Sequence, residues 1–482
     1  MSENLKKAVF YSLLFVAAIV ISSLVTLIGP EIGVLIIIVS FLIPIIIMSI
    51  TNVYFGFKVL VIYSFFLFII GRMSPYKIPT GVGVEIILIV LLLGFILDNK
   101  KINWLNFKNP VTYIVLVSTA YGFLQVLNPS AVTILAWLTW SRVLIFNLVL
   151  YFVCVNMFQN LKTVIQFTKL WLVLAIFGGL YGIYQQIFGY TDFEWNMILN
   201  TPGLLSLIKT GAVIRKFSFF SDVTTFGIFM SFSTIFSIIL SFGPISISKK
   251  ALLLTGSVIL ILGMAYSGTR TATVMIPIGL AMYGFLNLNK RNTLILGFLV
   301  MIVFMIFYYG PFYGKTATRV RSAFLFKSDA SLNVRDINRK RIQPYMYSHP
   351  IGGGVLTSGE FSEFNAGHPL AGFPPDSGYL QTAIEIGWIG LIIELLLYFH
   401  VLRIGIKNYY SCKSGMIKIL YAAYICSFFA LTLANLTQAS TMTQKPTNIL
   451  VYSIFAILPN MINFNKKNEL GGDFRAQSKA NI

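Results

Sequence analysis

Residues 374–390 read PPDSGYLQTAIEIGWIG, and they mark the point where the chain returns from a long polar segment into an apolar one. The polar segment covers residues 310–377 and is the longest hydrophilic interruption in the sequence. Apolar runs long enough to cross a bilayer lie on both sides of it. Functional groups of proteins concentrate on loops that a rigid scaffold positions. We therefore expect the chemistry of this protein in residues 310–377 and a supporting role for the apolar remainder.

The composition is that of an integral membrane protein. Hydrophobic residues make up 57% of the chain and charged residues only 11%, against about 25% charged residues in soluble domains. The mean hydropathy of +0.80 agrees. Lys6 and Lys7 precede a first apolar run without a small-residue cleavage site, so we expect this run to stay in the protein as an anchor.

Several classes of site are disfavoured by residue usage. The chain has three Cys and three His, and no Cys lies within residues 310–377. A disulfide framework or a zinc site built on Cys is therefore not expected there, and a multi-His metal site is disfavoured. Phosphate-binding glycine loops, dinucleotide fingerprints and nucleophile elbows do not occur in a usable context. We expect no metal, no cofactor and no nucleic-acid partner.

The pattern of apolar runs predicts an all-α polytopic membrane protein with about fourteen transmembrane helices, since each run is close to the ~20 residues that a span needs. The predicted helices cover residues 8–29, 33–50, 53–71, 81–97, 111–127, 142–158, 165–187, 218–241, 251–267, 270–287, 292–309, 378–401, 416–436 and 447–464. The predicted domains are residues 1–309 with helices 1–11, a large external loop at residues 310–377, residues 378–464 with helices 12–14, and a disordered cytoplasmic tail at residues 465–482.

The distribution of basic residues predicts the orientation. Basic residues such as Lys100, Lys249, Lys290 and Arg403 fall on one side of the membrane if the N-terminus is cytoplasmic. Cytoplasmic loops carry the excess of Lys and Arg in membrane proteins. The alternation holds along the whole chain, so both ends are expected inside and residues 310–377 outside.

The predicted external loop departs from that charge rule. Residues 315–341 hold eight Lys or Arg against two Asp, a net charge of +6, and residues 342–377 hold no Lys or Arg. The second half instead carries acidic residues together with His349 and His368. The pattern is typical of an anion-binding group beside an acid/base group. A basic loop that rests on anionic headgroups is the simpler explanation.

Two shorter external loops contain aromatic residues. Residues 128–141 include Trp137 and Trp140 and predict a helix that lies in the membrane interface. Residues 188–216 carry four aromatic residues before Arg215. These rings could stack on sugars, but a belt at the membrane interface is the more common role of such residues.

Four charged residues are candidates for chemistry. Arg215, Arg270 and Arg335 can each bind a phosphate through the planar guanidinium group, or they can anchor a helix end at the interface. Asp376 stands just before the predicted helix 12. By local rules it is an N-cap, and the same carboxylate could take a proton from a sugar hydroxyl.

Ordered sequence blocks resemble the superfamily of O-antigen ligases and Wzy-type polysaccharide polymerases. In that family the large loop ends in a His, then Asn, Ser or Gln, nine residues, a Gly, two residues and a small residue. Asp376 and Ser377, followed by Gly387 and Gly390, reproduce this spacing. The resemblance covers about residues 178–394. It also rests on SHPIGGGV (348–355) with Arg335 upstream, GGLYGIYQ (178–185), RKFSFFSDVTTFG (215–227) and SGTRTA (267–272).

One residue departs from the family pattern. The His that serves as general base in the ligases is Asp376 in this sequence. The departure favours the polymerase branch. Either Asp376 acts as the base, or His368 or His349 assists or replaces it, and the sequence leaves these possibilities open.

The resemblance implies a GT-C-like bacterial inner-membrane glycosyltransferase. It would polymerise repeat units carried on undecaprenyl pyrophosphate at the outer face, independently of metal and nucleotide. Its donor and acceptor would both be lipid-linked oligosaccharides, with membrane lipids and a chain-length regulator as further partners. The alternatives are a ligase that transfers the glycan to lipid A–core or to a protein hydroxyl, and a flippase for lipid-linked sugars. The residues expected to bind pyrophosphate are Arg215, Arg335, Arg270, Arg319 and Arg321.

Overall fold

A computed structural model describes residues 26, 30–74, 79–210, 213–288, 297, 302, 305, 309–310, 314–322, 330–359, 364, 366–439 and 441–470. These residues form helices joined by short loops, with one two-stranded hairpin. In chain order the helices are α1 (Pro30–Thr51), α2 (Val53–Met73), α3 (Thr80–Leu97), α4 (Pro110–Leu124), α5 (Ile134–Met157), α6 (Leu161–Phe188), α7 (Asp192–Asn200), α8 (Leu204–Ile208), α9 (Val223–Ser241), α10 (Ile247–Ser267), α11 (Arg270–Leu286), α12 (Lys315–Ser322), α13 (Ala330–Ser348), α14 (Gly378–Glu385), α15 (Gly387–Ser411), α16 (Gly415–Ala434) and α17 (Thr447–Leu470). The hairpin strands are β1 (Lys209–Thr210) and β2 (Val213–Ile214), which run antiparallel with Lys209 opposite Ile214.

The prediction of a polytopic all-α membrane protein is confirmed. Within the described residues, nine helices are long and apolar enough to cross a membrane. They are α2, α3, α4 with its extension to Leu127, α5, α6, α9, α10, α15 and α16. Three shorter apolar helices follow at Ser40–Thr51, Arg270–Leu286 and Thr447–Asn460. The predicted spans at 8–29 and 292–309 lie outside the described residues except for isolated positions, so the total of fourteen stays a prediction.

Two helices form the centre of the bundle. In α9, 89% of the spanning window is buried, and in α16 the figure is 78%, whereas α15 buries 22%. Aromatic rings join these two helices through Phe236 of α9. Its ring centroid lies 4.7 Å from that of Tyr424 in α16 and 4.7 Å from that of Trp171 in α6. Edge-to-face aromatic contacts of this kind add to the packing that holds helices together in a bilayer, where the hydrophobic effect between helices is weak.

The predicted interfacial helix at residues 128–141 is wrong. Trp137 and Trp140 instead lie in the first turns of α5, which begins at Ile134 and continues to Met157. The reason is local, because no Gly or Pro interrupts residues 131–157 and the helix has no signal to stop.

The predicted helix at residues 378–401 is divided in two. α14 ends at Glu385 and α15 begins at Gly387, whose φ is +82°. This left-handed conformation favours glycine and breaks the helix. The start of the predicted helix at 218 is also corrected. α9 begins at Val223, because the Asp222 carboxylate accepts hydrogen bonds from the backbone N–H groups of Thr224 and Thr225 and caps the helix there.

Candidate functional site

Helix α13 carries Arg335 and docks on the membrane bundle through a small apolar cluster. Ile342 of α13 packs with Leu370, Phe373 and Ile384, and all four side chains are buried. Because Ile384 belongs to α14, this cluster joins the polar loop to the segment that re-enters the membrane. The loop is therefore a packed part of the fold around α13 and α14.

Arg335 and Asp376 form an ion pair at this junction. Arg335 Nε lies 3.7 Å from Asp376 Oδ1, and the two side chains are 22% and 24% exposed. In the described part of the chain, neither side chain makes a hydrogen bond to another protein group. A long ion pair with unused donors, still open to solvent, leaves most of the guanidinium group available to an incoming anion.

The predicted capping role of Asp376 is wrong. The N-cap of α14 is Ser377, whose Oγ accepts a hydrogen bond from the Leu380 backbone N–H and donates one to the Asn435 carbonyl at 3.1 Å. Ser377 lies closest in sequence to the helix and adopts an extended backbone, as N-caps do. Asp376 is thereby left one residue outside the helix, beside Arg335.

Asn435, which follows α16, fixes the position of the Asp376 segment. Its carbonyl also accepts the Gly378 backbone N–H at 2.9 Å. A Cβ atom on Gly378 would lie 2.1 Å from Asn435 Oδ1, so the close approach requires glycine at this position. Two residues after Asn435, the hydroxyl of Thr437 is 2.8 Å from that of Thr271, the second residue of α11.

These contacts tie the start of α11 to the segment that carries Asp376. Arg270 begins α11, next to Thr271. Burial lowers the pKa of Arg270, and the positive charge of Arg335 acts in the same direction. A concentration of positive charge with a single carboxylate is an environment that attracts a multiply charged anion.

Arg215 joins the same region from the loop before α9. Its Nε donates to the Ser267 carbonyl at 2.8 Å, and its Nη2 donates to Thr269 Oγ1 at 3.0 Å. Both acceptors belong to the turn between α10 and α11 that precedes Arg270. The structure thus brings together Arg215, Arg270, Arg335 and Asp376, which were predicted from separate sequence blocks.

The SHPIGGG stretch (348–354) forms backbone hydrogen bonds with the break between α14 and α15. We call this contact between residues 350–354 and 384–388 the clasp. The Gly353 and Gly354 backbone N–H groups donate to the carbonyls of Ile384 and Glu385 at 2.8 and 2.9 Å. In return, the Trp388 N–H donates to the Pro350 carbonyl at 2.9 Å. Gly387 approaches this backbone so closely that a Cβ atom would lie 2.3 Å from the Pro350 oxygen.

Glu385, which sequence reasoning missed, is buried at the centre of this clasp. Its carboxylate accepts the backbone N–H groups of Leu356 and Ser358 at 3.1 and 3.2 Å, and the Ser358 hydroxyl at 2.5 Å. Burial raises the pKa of Glu385, and the hydrogen bonds from Ser358, Gln381 and Leu356 act in the opposite direction. The signal in the sequence is a carboxylate between Ile384 and Ile386, which must have partners if it is buried.

His368 is built into the loop. Its side chain is buried, its Nδ1 accepts the Leu370 backbone N–H at 3.0 Å, and its Nε2 lies 3.4 Å from the Tyr345 hydroxyl. An accepting Nδ1 requires the tautomer that carries its proton on Nε2. Burial lowers the pKa of His368, so the neutral form is favoured.

The remaining predicted residues differ in their placement. The His349 ring stacks on that of Tyr345 at 4.0 Å, and its Nδ1 lies 3.0 Å from the Tyr345 carbonyl oxygen. Arg321 of α12 donates to the Gly310 carbonyl. Arg319 lies in α12, and its side chain is outside the described part of the structure.

Two further sequence blocks, residues 178–185 and 215–227, meet at Ser218. Arg72 contacts the same segment and is a second residue that sequence reasoning missed. The Ser218 hydroxyl donates to the Gly178 carbonyl at 2.7 Å, and its backbone N–H donates to Gln185 Oε1 at 2.9 Å. Arg72 of α2 donates to the carbonyls of Ser218 and Phe220. The GGLYGIYQ block therefore holds the irregular segment that positions Arg215. An Arg at the end of an apolar run was the available signal for Arg72.

Metal-binding side chains are not grouped in the described part of the chain. There, no three His, Cys, Asp or Glu side chains are arranged to hold a metal ion. The charged groups assembled around Arg335 are mainly cationic. The fold defines the protein as a multi-pass membrane protein, and its docked polar loop carries basic side chains beside one carboxylate.

Residues 255–395 match the family model described as O-Antigen ligase, Wzy_C, which confirms the resemblance to the O-antigen ligase and Wzy-type superfamily. The matched region includes Arg270, Arg335, His368, Asp376 and Glu385, and this part of the chain is similar to a family whose members are glycosyltransferase-like enzymes. Arg215 and the GGLYGIYQ block precede it. No curated protein matches the chain.

Proposed function

We propose that this protein polymerises lipid-linked oligosaccharide repeat units at the outer face of a bacterial inner membrane. The observation that carries the proposal is the open Arg335–Asp376 pair beside Arg270, inside the region that matches the O-antigen ligase family. Phosphoryl groups are bound by planar guanidinium donors, and acid/base catalysis of hydroxyl attack requires a carboxylate or imidazole nearby. The donor would be a glycan on undecaprenyl pyrophosphate and the acceptor a second lipid-linked unit.

Each residue has a defined part in this reaction. The acceptor hydroxyl oxygen attacks the anomeric carbon of the donor, and the bond from that carbon to the pyrophosphate oxygen breaks. The bonding electrons leave with the pyrophosphate, where Arg335 and Arg270 stabilise the developing charge. The hydroxyl proton passes to Asp376. Arg215 supports the arrangement through the turn that precedes Arg270.

The binding of the donor also changes the environment of Asp376. In the structure its carboxylate is paired with Arg335 at 3.7 Å. A pyrophosphate that binds Arg335 competes with Asp376 for this positive charge and leaves the carboxylate free to face the acceptor hydroxyl. The coupling would activate the base only when the donor is present.

The second candidate is a ligase, which the match to the O-antigen ligase family favours. It would carry out the same displacement with a hydroxyl of lipid A–core or of a protein as the acceptor. The residues around the leaving group would keep their roles, and only the acceptor would differ.

The test uses purified full-length protein in detergent with lipid-linked repeat units extracted from the producing cells. We expect a ladder of polymer products from these units alone, without added acceptor. Arg335→Lys should reduce the rate by on the order of 10²-fold, because an ammonium group cannot form the paired hydrogen bonds of the guanidinium group. Arg339→Lys is the matched control, since Arg339 lies on the same helix and pairs with Asp336.

The acceptor decides between the two candidates. Glycan transfer that occurs only after addition of lipid A–core would establish the ligase and refute the polymerase. Equal rates for Arg335→Lys and Arg339→Lys would refute the assignment of Arg335 to the leaving group.

A further inference from the structure

A cavity with a volume of about 460 Å³ lies far from the Arg335–Asp376 site. It opens where the last turns of α15 meet the start of α4 and the lower part of α17. Arg403 of α15 is sixteen residues beyond Gly387, which is about 24 Å along the helix axis. The cavity is therefore at the other end of α15 from the clasp at Gly387, on the side of the membrane that the charge pattern predicts to be cytoplasmic.

The charges of the cavity lining have one sign. Lys108, His400, Arg403 and Lys407 line it, and the described lining residues include no Asp or Glu. His400, Arg403 and Lys407 follow each other at intervals of three and four residues, so they share one face of α15. Like charges at this spacing repel each other, and the repulsion is stronger in a concave site.

The basic groups are available to a ligand. Within the described residues, the side chains of Lys108, Arg403 and Lys407 have no hydrogen-bond or ion-pair partner. The His400 ring donates from Nδ1 to the Leu396 carbonyl at 2.9 Å. The excess of basic residues on a cytoplasmic face accounts for their presence, but it does not account for their convergence on one cavity.

Amide side chains hold the cavity walls in place. Asn408 donates to the Leu458 carbonyl at 3.0 Å and joins α15 to α17. Asn460 donates to the Val155 carbonyl at 3.2 Å and joins α17 to α5. The walls are thus fixed by hydrogen bonds between helices, so the cavity exists before any ligand binds.

Apolar residues border the basic groups. Leu105, Ile404 and Pro459 line the cavity together with the cations. Leu105 and the neighbouring Trp104 are 70% and 67% exposed. A ligand that fits both features carries a negative headgroup and an acyl chain, and a cavity of this volume is within the range that binds small ligands.

We propose that this cavity is a binding site for the phosphate headgroup of an anionic membrane phospholipid, distinct from the site of glycan transfer. The Lys and Arg side chains contact the headgroup oxygens, and the acyl chains lie along the exposed apolar surface beside Leu105. The bound lipid neutralises the repulsion between the basic side chains. It thereby stabilises the contact of α15 with α4 and α17.

Native mass spectrometry of the delipidated full-length protein tests the proposal. We expect phosphatidylglycerol to bind at least tenfold more tightly than phosphatidylcholine to the wild-type protein. Arg403→Gln with Lys407→Gln should weaken phosphatidylglycerol binding by roughly tenfold or more, because each basic residue near a membrane surface contributes to the attraction of anionic lipid. The matched control is Lys249→Gln with Lys250→Gln, which changes two lysines of α10 outside the cavity. This variant should bind phosphatidylglycerol as tightly as the wild-type protein does.

Three outcomes would overturn the proposal. Equal loss of lipid binding in the cavity variant and the control would show that the lipid responds to the total charge of this side of the protein and not to the cavity. Equal affinity for the two lipids would remove the requirement for an anionic headgroup. Full displacement of the lipid by millimolar inorganic phosphate would identify free phosphate as the ligand.

The test is independent of the catalytic proposal. Arg335 lies on α13, which docks beside the first residues of α15, so the Arg335→Lys variant should bind phosphatidylglycerol like the wild-type protein. Absence of the glycan ladder with intact phosphatidylglycerol binding would refute the proposed function alone. A normal ladder without phosphatidylglycerol binding would refute only the proposal for the cavity.

Discussion

At the scale of single residues, the role of Asp376 depends on which of two adjacent residues caps α14. Asp and Ser are both good N-cap residues, and they stand next to each other before α14. The structure assigns the cap to Ser377 and leaves Asp376 3.7 Å from Arg335. Asp376 therefore has no capping role at the helix end that would account for a carboxylate at this position.

Asp376→Asn tests this residue directly. We expect the rate of ladder formation to fall by roughly 10²–10⁴-fold, because the amide cannot accept the proton of the acceptor hydroxyl. The control is Asp336→Asn, an exposed carboxylate of α13 that pairs with Arg339 at 3.7 Å. If Asp376 only positions Arg335, the variant should raise KM for the lipid-linked donor with little change in kcat. A loss confined to kcat identifies Asp376 as the base, and a rate within threefold of the wild type would contradict both roles.

A second prediction at this scale concerns pH and His368. Because burial lowers the pKa of His368, the unfolded loop binds a proton more readily than the folded loop. The contribution of neutral His368 to the stability of the folded loop should be complete above about pH 6.5, the ordinary pKa of His, and should decline as the pH falls below that value. The protection factors of the backbone amides at residues 366–373, corrected for the intrinsic pH dependence of exchange, should fall between pH 7.5 and pH 5.5. His368→Gln, which cannot titrate, should show no such change, and the same fall in protection in this variant would assign the effect to another group.

At the scale of elements, the break between α14 and α15 allows the loop to dock. Gly387 has a φ of +82°, and the Pro350 carbonyl and the Gly352 backbone nitrogen occupy the space of a side chain. The break exposes the carbonyls of Ile384 and Glu385 to Gly353 and Gly354. The spacing from Asp376 to Gly387 thus has a structural reason, since it sets the length of the helix between the acid and the clasp.

Gly387→Ala should undo this contact. The nearest atoms belong to the backbone and cannot move aside, so we expect destabilisation of about 1–3 kcal/mol together with weaker docking of residues 350–354. Thermal unfolding in detergent measures the first effect, and limited proteolysis of the loop measures the second. Gly284→Ala is the matched control, because a Cβ atom there has open space and the glycine lies inside a helix. Equal stability of the two variants would show that the clasp contributes little.

At the scale of the whole molecule, the site is held by residues that are distant in sequence. Arg72 lies in α2, yet its guanidinium group donates to the backbone of residues 218–221 and lies 4.3 Å from the centre of the Phe217 ring. These residues precede α9, the most buried of the nine spans in the described part of the chain, and begin three positions after Arg215. A side chain from the first half of the chain therefore sets the geometry of a block near the matched domain.

Arg72→Met should destabilise the protein by about 3 kcal/mol, because several buried carbonyls lose their donors at once. It should also slow glycan transfer through the displacement of Arg215, and the melting temperature and the ladder rate report these two effects. Arg142→Met is the control, since this arginine pairs with Glu85 but its side chain is 56% exposed, and exposed pairs contribute little. A smaller loss for Arg72→Met than for Arg142→Met would contradict the role given to Arg72.

The sequence by itself determined the membrane class, the helical architecture and the place of the polar loop's return into the membrane. These properties depend on apolar length and composition, which a single sequence displays without reference to distant residues. The spacing of Asp376 and Gly387, with the blocks around Arg215, Arg270 and Arg335, also pointed to the family that the match over residues 255–395 supports.

Only the tertiary structure decided which residues act together. Ser377 rather than Asp376 caps α14, Glu385 is a buried anchor, and Arg72 holds a loop more than a hundred residues away. The tryptophans at 137 and 140 begin a long helix instead of forming a short one. Each outcome depends on the competition between groups for donors and acceptors in the folded chain. Local sequence rules give the candidates for each contact, and the partners that long-range packing supplies determine which one forms.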